Sequence, residues 1–169
     1  SLKTGGEAIR IDGQLVKTLC RELGFGEVAL CQEDVAMRLE VKEGINSSTI
    51  INDTYNSDIN SLALALDTLQ SVALGALTTA VISDIEQSGM PDEELYERVA
   101  ALVERAKVDM LIGVGERIRH YAPKFMCRTR FYASTEELEQ GLSYEDIAGR
   151  TILLKGNRRS RFERVCHQL

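Results

Sequence analysis

The sequence predicts an α/β fold built on a mostly parallel sheet of about six strands with helices on both faces. Three observations carry this expectation. Six short apolar runs, rich in β-branched or aliphatic residues, end near Gly, Asn or Asp. Stretches of Leu and Val at helical spacing lie between them. Strand and helix signals alternate along the chain, the order that gives parallel strands joined by right-handed crossovers. A length of 169 residues with 44% hydrophobic content suffices for one domain with a core of ordinary size.

The elements follow in order. Leu15 to Leu23 reads as a helix ended by Gly24, and Gly26 to Asp34 leads into the first strand. Residues 1–35 are therefore expected to be the tail of a preceding domain or a linker, with the domain proper at 36–169. The strands are expected at Met37 to Val41, Thr49 to Ile51, Ala80 to Ile82, Met110 to Val114, Arg130 to Ala133 and Thr151 to Leu154. A helix beginning near Asn60 or Ser61 carries Leu62, Leu66, Leu69 and Val72 at helical spacing. A second carries Leu95, Val99, Leu102, Val103 and Ala106; Pro91 suits its first turn, and Asp92, Glu93 and Glu94 complement its dipole. Ser134 with Glu137, and more weakly Ser143 with Asp146, are capping-box candidates. In such Rossmann-like sheets ligands sit at the carboxyl ends of the strands.

Charge and composition narrow the function. A net charge of −6 argues against a nucleic-acid coat, although Arg150, Lys155, Arg158, Arg159, Arg161 and Arg164 face only Glu163 in the last part of the chain. That run is either a solvated helix face or a local anion site. No apolar run approaches the roughly 20 residues of a membrane span, and the first residues lack a signal-peptide core, so the cytoplasm is the expected compartment and no membrane partner is expected. Cys20, Cys31, Cys127 and Cys166 form no C-x-x-C pair, and His120 and His167 are far apart, so no metal site or histidine-based triad is expected. Gly113-Val114-Gly115 lacks the third glycine of a dinucleotide turn and reads as a tight strand-to-helix turn. Tyr96 reads as packing.

The polar segment Asn52 to Asp58 follows an apolar strand and precedes a helix. Asp53 suits ribose hydroxyls, Tyr55 offers a flat ring, and Asn56 offers donor and acceptor together. A capped turn using Asx chemistry accounts for the same residues equally well.

Asp53-Thr54-Tyr55-Asn56-Ser57-Asp58-Ile59-Asn60-Ser61 resembles the D-x-Y-N-A-N-P-x-S stretch of the Mur ligase family of peptidoglycan synthesis, in its D-alanyl-D-alanine-adding branch. Met37-Arg38-Leu39-Glu40 resembles the entry to that family's third, carboxy-terminal domain. Ile82-Ser83-Asp84-Ile85 resembles its G-D-M strand end, and Leu154-Lys155-Gly156-Asn157-Arg158 its L-V-K-G-S-R. The resemblance runs from Val35 onward, with Ile59 in place of proline, Ser57 and Asp58 in place of Ala and Asn, and Asn157 in place of serine.

The resemblance implies an ATP-dependent ligase joining D-Ala-D-Ala to UDP-N-acetylmuramoyl-tripeptide. Arg38 would reach ATP phosphates on domain closure; Asp53, Asn56 and the adjacent Tyr55 would hold the nucleotide; Lys155, Asn157 and Arg158 would lie near the amine substrate. It implies no catalytic residue and no metal ligand in this chain. None of the thirteen glycines belongs to a G-x-x-x-x-G-K-[ST] loop, so ATP and Mg would be held mainly by a missing central domain, and the UDP-sugar by a missing amino-terminal one. The isolated chain is expected to be inactive. Val35 to Val41 and Ser83-Asp84-Ile85 further resemble the variant fused ahead of an alanine racemase, whose pyridoxal phosphate would not reside here. The competing expectation is a noncatalytic regulatory or protein-binding α/β domain. The two readings differ in whether Arg38, Asp53, Asn56 and Lys155 share one face at strand carboxyl ends.

Overall fold

Alternate residues of the central strands sort to opposite faces of one sheet, and each face is covered by helices. Ile51, Ala80, Ile82, Leu111 and Leu153 join one buried cluster; Ile50, Val81, Met110, Ile112, Ile152 and Leu154 join another. This period of two places the core on both sides of the sheet. The computed structural model describes residues 39–86 and 89–169. The helix and linker expected within residues 1–35, and Arg38, lie outside them.

Six strands make up the sheet: β1 (Glu40–Glu43), β2 (Thr49–Asp53), β3 (Thr78–Ser83), β4 (Met110–Val114), β5 (Arg128–Tyr132) and β6 (Thr151–Lys155). Their spatial order is β1-β2-β6-β3-β4-β5, all neighbours parallel except the antiparallel pair β1 and β2. The helices are α1 (Ile59–Ala73), α2 (Asp92–Arg105), α3 (Glu116–His120), α4 (Thr135–Gly141), α5 (Tyr144–Ile147) and α6 (Phe162–Gln168). Leu62, Leu66 and Leu69 of α1, Leu95, Val99 and Val103 of α2, and Ile118 of α3 pack on one face. Leu138 of α4, Ile147 of α5, and Phe162 and Val165 of α6 pack on the other. The chain advances from β2 to β5 over the first face and returns to β6 over the second, the layering that right-handed crossovers require.

The ladder extends several of the expected strands. β3 starts at Thr78 and ends at Ser83 because it is paired on both sides, by β4 and β6. β5 begins at Arg128 rather than Arg130: it is a sheet edge, so its pairing with β4 continues under polar side chains. The first described strand starts at Glu40 and returns through Gly44–Ser48, where Asn46 and Ser47 adopt positive φ, to make the one antiparallel pair.

Helix starts are fixed by side chains. Asp58 caps α1, which starts at Ile59, one or two residues before the expected start; its carboxylate accepts from the Asn60 and Ser61 N–H groups at 3.0 Å each and from the Ser61 hydroxyl at 2.8 Å. Pro91 stands just before α2, whose first turn carries Asp92, Glu93 and Glu94. Ser134 accepts from the Glu137 N–H, but the Glu137 carboxylate reaches past it to the Ala133 N–H at 2.8 Å. The buried Asp146 carboxylate takes both the N–H and the hydroxyl of Ser143 and meets Arg130 at 2.6 Å.

Candidate ligand-binding site

The carboxyl ends of β2 and β6 lie side by side, with Asp53 in register with Lys155. From there the chain diverges: β2 leads to α1 on one face and β6 leads to α6 on the other. Such a divergence opens a crevice at the strand ends, the topological switch point where α/β sheets receive ligands.

Lys155 crosses the base of this crevice. Its side chain is 1% exposed, its ammonium donates to Asp53 Oδ2 at 2.8 Å, and it donates to the Asn56 carbonyl at 2.6 Å. The Gly156 N–H adds a bond to the Asp53 carbonyl at 3.3 Å. Burial pushes the Asp53 carboxyl above its ordinary value, opposed by the charge and hydrogen bond of Lys155 and reinforced by the Asp58 charge. The Asp58 carboxyl moves the other way. Burial is its largest single influence and raises it, but the hydrogen bonds from Ser61 and Asn60, with the Lys155 charge, together bring it below the ordinary value.

On the open side, Tyr55 is 42% exposed and the Arg158 guanidinium carbon sits 4.2 Å from its ring centroid. Asn56 is exposed, its amide donating to Asp58 Oδ2 at 2.9 Å. Asn157 caps the short 3-10 turn Arg158–Ser160 by accepting from the Arg159 N–H at 2.8 Å and the Ser160 N–H at 3.0 Å. Gly156 is required at this bend because a Cβ there would run into the Ser160 hydroxyl and the Phe162 ring. A cavity of about 560 Å³ lies above, lined by Asn52, Thr54, Tyr55, Arg158 and Glu163.

Six of the seven residues singled out in the sequence thus meet at the carboxyl ends of β2 and β6: Asp53, Tyr55, Asn56, Lys155, Asn157 and Arg158. The seventh, Arg38, lies outside the described residues. Their polar atoms face different ways. Tyr55 and Arg158 face the cavity, whereas the Lys155 ammonium and the Asn157 side-chain oxygen are bonded within the chain. Asn52, Thr54 and Glu163 also line the cavity, and sequence reasoning assigned them no role. Glu163 could have been found as the lone acid in the basic run.

The end of β3 is closed by contrast. Asp84 accepts from the Ile118 N–H at 2.8 Å, the Arg117 N–H at 3.3 Å and the Tyr96 hydroxyl at 3.3 Å, so it caps α3. Gly115, with φ +129°, permits the Gly113-Val114-Gly115 turn to pass directly over that carboxylate. Tyr96 is fully buried and stacks on Tyr121 with centroids 5.0 Å apart. Burial, with the Asp84 charge next in weight, raises its hydroxyl well above the ordinary value.

The open side of the crevice thus presents the Tyr55 ring under the Arg158 guanidinium, with the Asp53–Lys155 pair beneath. Among the described residues no group of three or more His, Cys, Asp or Glu is placed to hold a metal ion. No helix among them is long and apolar enough to cross a membrane.

The fold is an α/β architecture that matches the carboxy-terminal domain of Mur ligases. The chain superposes on MurF from Acinetobacter baumannii with a TM-score of 0.61 and 18% identity, covering 76% of this chain and 28% of that one. It superposes on a Haemophilus ducreyi domain, described as from a UDP-N-acetylmuramate:L-alanyl-gamma-D-glutamyl-medo-diaminopimelate ligase, with a TM-score of 0.59 and 16% identity, covering 78% of this chain and 96% of that one. In sequence it is similar to the UDP-N-acetylmuramoyl-tripeptide--D-alanyl-D-alanine ligase of Bacillus subtilis, 23% identical over 141 residues. That match takes in 79% of this chain and 30% of the relative, so the chain spans about a third of the ligase it resembles. No protein-family model matches the chain.

Proposed function

We propose that the chain is the carboxy-terminal domain of an ATP-dependent, cytoplasmic Mur-type ligase that adds D-Ala-D-Ala to UDP-N-acetylmuramoyl-tripeptide. The observation that carries this reading is the register of Asp53 with Lys155, which joins the segment after β2 and the turn after β6 into one cleft. Two stretches separated by about 100 positions, each resembling a ligase motif, meet where an α/β sheet receives ligands. A fold retained without its ligand contacts would keep that meeting, but gives no reason for an exposed tyrosine under an arginine. The similarity to the Bacillus subtilis ligase supports the same reading.

In this role Tyr55 supplies a stacking surface for the nucleotide, and Asp53 and Asn56 supply acceptors and a donor at its sugar edge. Arg158 offers a fork suited to the carboxylate of the dipeptide, on a turn held by Asn157. Arg38 would add a cation toward the phosphates. ATP, when bound, activates the tripeptide carboxylate by phosphorylation; the contribution of this domain is to orient the attacking amine and exclude water as it closes. The phosphate loop, the Mg ligands and the UDP-sugar pocket belong to the missing central and amino-terminal domains. The finest part of the reading, a fused alanine racemase with its pyridoxal phosphate, rests on the wording of Val35 to Val41 and Ser83 to Ile85. Conversion of L-Ala to D-Ala by the parent protein tests it.

The test of the main reading is D-Ala-D-Ala-dependent ATP hydrolysis by the parent protein with and without Arg38→Ala. Loss of one charge-assisted phosphate contact, about 1.5–3 kcal/mol, lowers kcat/KM roughly ten- to hundredfold. An unchanged rate removes Arg38 from the nucleotide site.

A further inference from the structure

A lysine is among the residues least often fully buried, and a buried one has its charge matched and its donors used. Lys155 has its charge matched and two of its three donors used, without touching the cavity. Asp53, its register partner on β2, supplies the charge, and the second bond goes to a main-chain carbonyl, that of Asn56, three residues further on. Tyr55 lies between these two anchors on the exposed side, under Arg158. Arg158 belongs to the turn that follows Lys155 itself, and Asn157 fixes that turn. The ammonium therefore ties the segment after β2 from beneath, while the Arg158 and Tyr55 contact closes it from above.

We propose that Lys155 is a positioning residue: its ammonium fixes the Asp53–Asn56 segment to β6, so that the two loops lining the cleft keep one spacing and act as a unit. The kinetic consequence rests on the ligase reading above; the structural one does not. A simple counter-ion for Asp53 would need the Asp53 contact alone. The bond to the Asn56 main chain, which no side-chain change at position 56 removes, is what makes Lys155 a tether.

Hydrogen exchange on the 169-residue chain separates the two roles. Lys155→Met strands a part-buried carboxylate and is expected to destabilise the fold broadly. Asp53→Asn combined with Lys155→Met removes both charges, which restores much of the unfolding midpoint but not the bond to Asn56. In the double variant the amides of residues 54–58 are expected to exchange about tenfold faster than in the unaltered chain, with those of β3 and β4 unchanged. Recovery of both midpoint and protection would reduce Lys155 to a counter-ion and overturn the proposal. Lys155→Arg keeps the charge but not the compact reach. It should loosen 54–58 selectively even if neither Met variant folds, and full protection in it would count equally against the tether.

In the parent enzyme, Lys155→Arg should raise the KM for ATP and the KM for D-Ala-D-Ala by a similar factor, about three- to tenfold, with a smaller change in kcat. A rise in only one KM contradicts coupling of the two loops. Absence of ligase turnover in the unaltered parent would overturn the ligase reading, while the exchange result would still decide the tether.

Discussion

Asp58 and Asp53 stand five positions apart, share the field of Lys155, and respond to acid in opposite senses. Asp58 is held below its ordinary value of 3.8, so the stability it contributes is present above that pH and is lost as pH falls through its lower folded value. Asp53 is raised, so its protonation favours the folded state at low pH. Asp58→Asn should therefore flatten the acid side of the stability profile below about pH 4, measured by urea unfolding at several pH values. An unaltered acid limb would count against the cap as drawn. Gly115 is the second residue on which local geometry depends. Gly115→Ala would force a Cβ at positive φ onto the Asp84 carboxylate and should cost about 1–3 kcal/mol or more, read as a lowered urea midpoint.

At the scale of elements, legibility follows burial. β4, apolar on both faces, lies where its continuous run Met110 to Val114 placed it. β5 starts two residues earlier than its apolar residues suggested, because an edge ladder makes no demand on Arg128 and Thr129. α1 shows both sides of the same rule. Its leucine spacing was readable, but its start was set by Asp58, a residue that looked equally like part of a ligand loop. Leu66, fully buried between α1 and the sheet, should cost about 2–5 kcal/mol as Leu66→Ala. Leu64, half exposed on the same helix, should cost under about 0.5 kcal/mol as Leu64→Ala. Paired denaturation curves check the contrast; equal losses would mean that α1 is rotated. The inward turn of Lys155 was not readable. A lysine in a basic run suggests solvent, and the cross-strand partner that draws it inside is 102 positions away.

For the whole molecule, the strand order decides which segments can cooperate. Insertion of β6 between β2 and β3 sends its following helix to the face opposite those after its neighbours, and so creates the cleft. The site is then an edge, with an aromatic face, a fork and a buried tether. On the ligase reading proposed above, such a domain would work by closing on groups supplied elsewhere; the chain spans 30% of its Bacillus subtilis relative. Purified alone, it should show no ATP hydrolysis, and steady phosphate release by the isolated chain would contradict the division of labour proposed. The central claim is tested most directly by ADP formation in the purified parent protein, with UDP-N-acetylmuramoyl-tripeptide and D-Ala-D-Ala supplied together and each omitted in turn. The account predicts turnover only with both present, lost when residues 39–169 are deleted. Turnover that ignores either substrate, or survives the deletion, would contradict it.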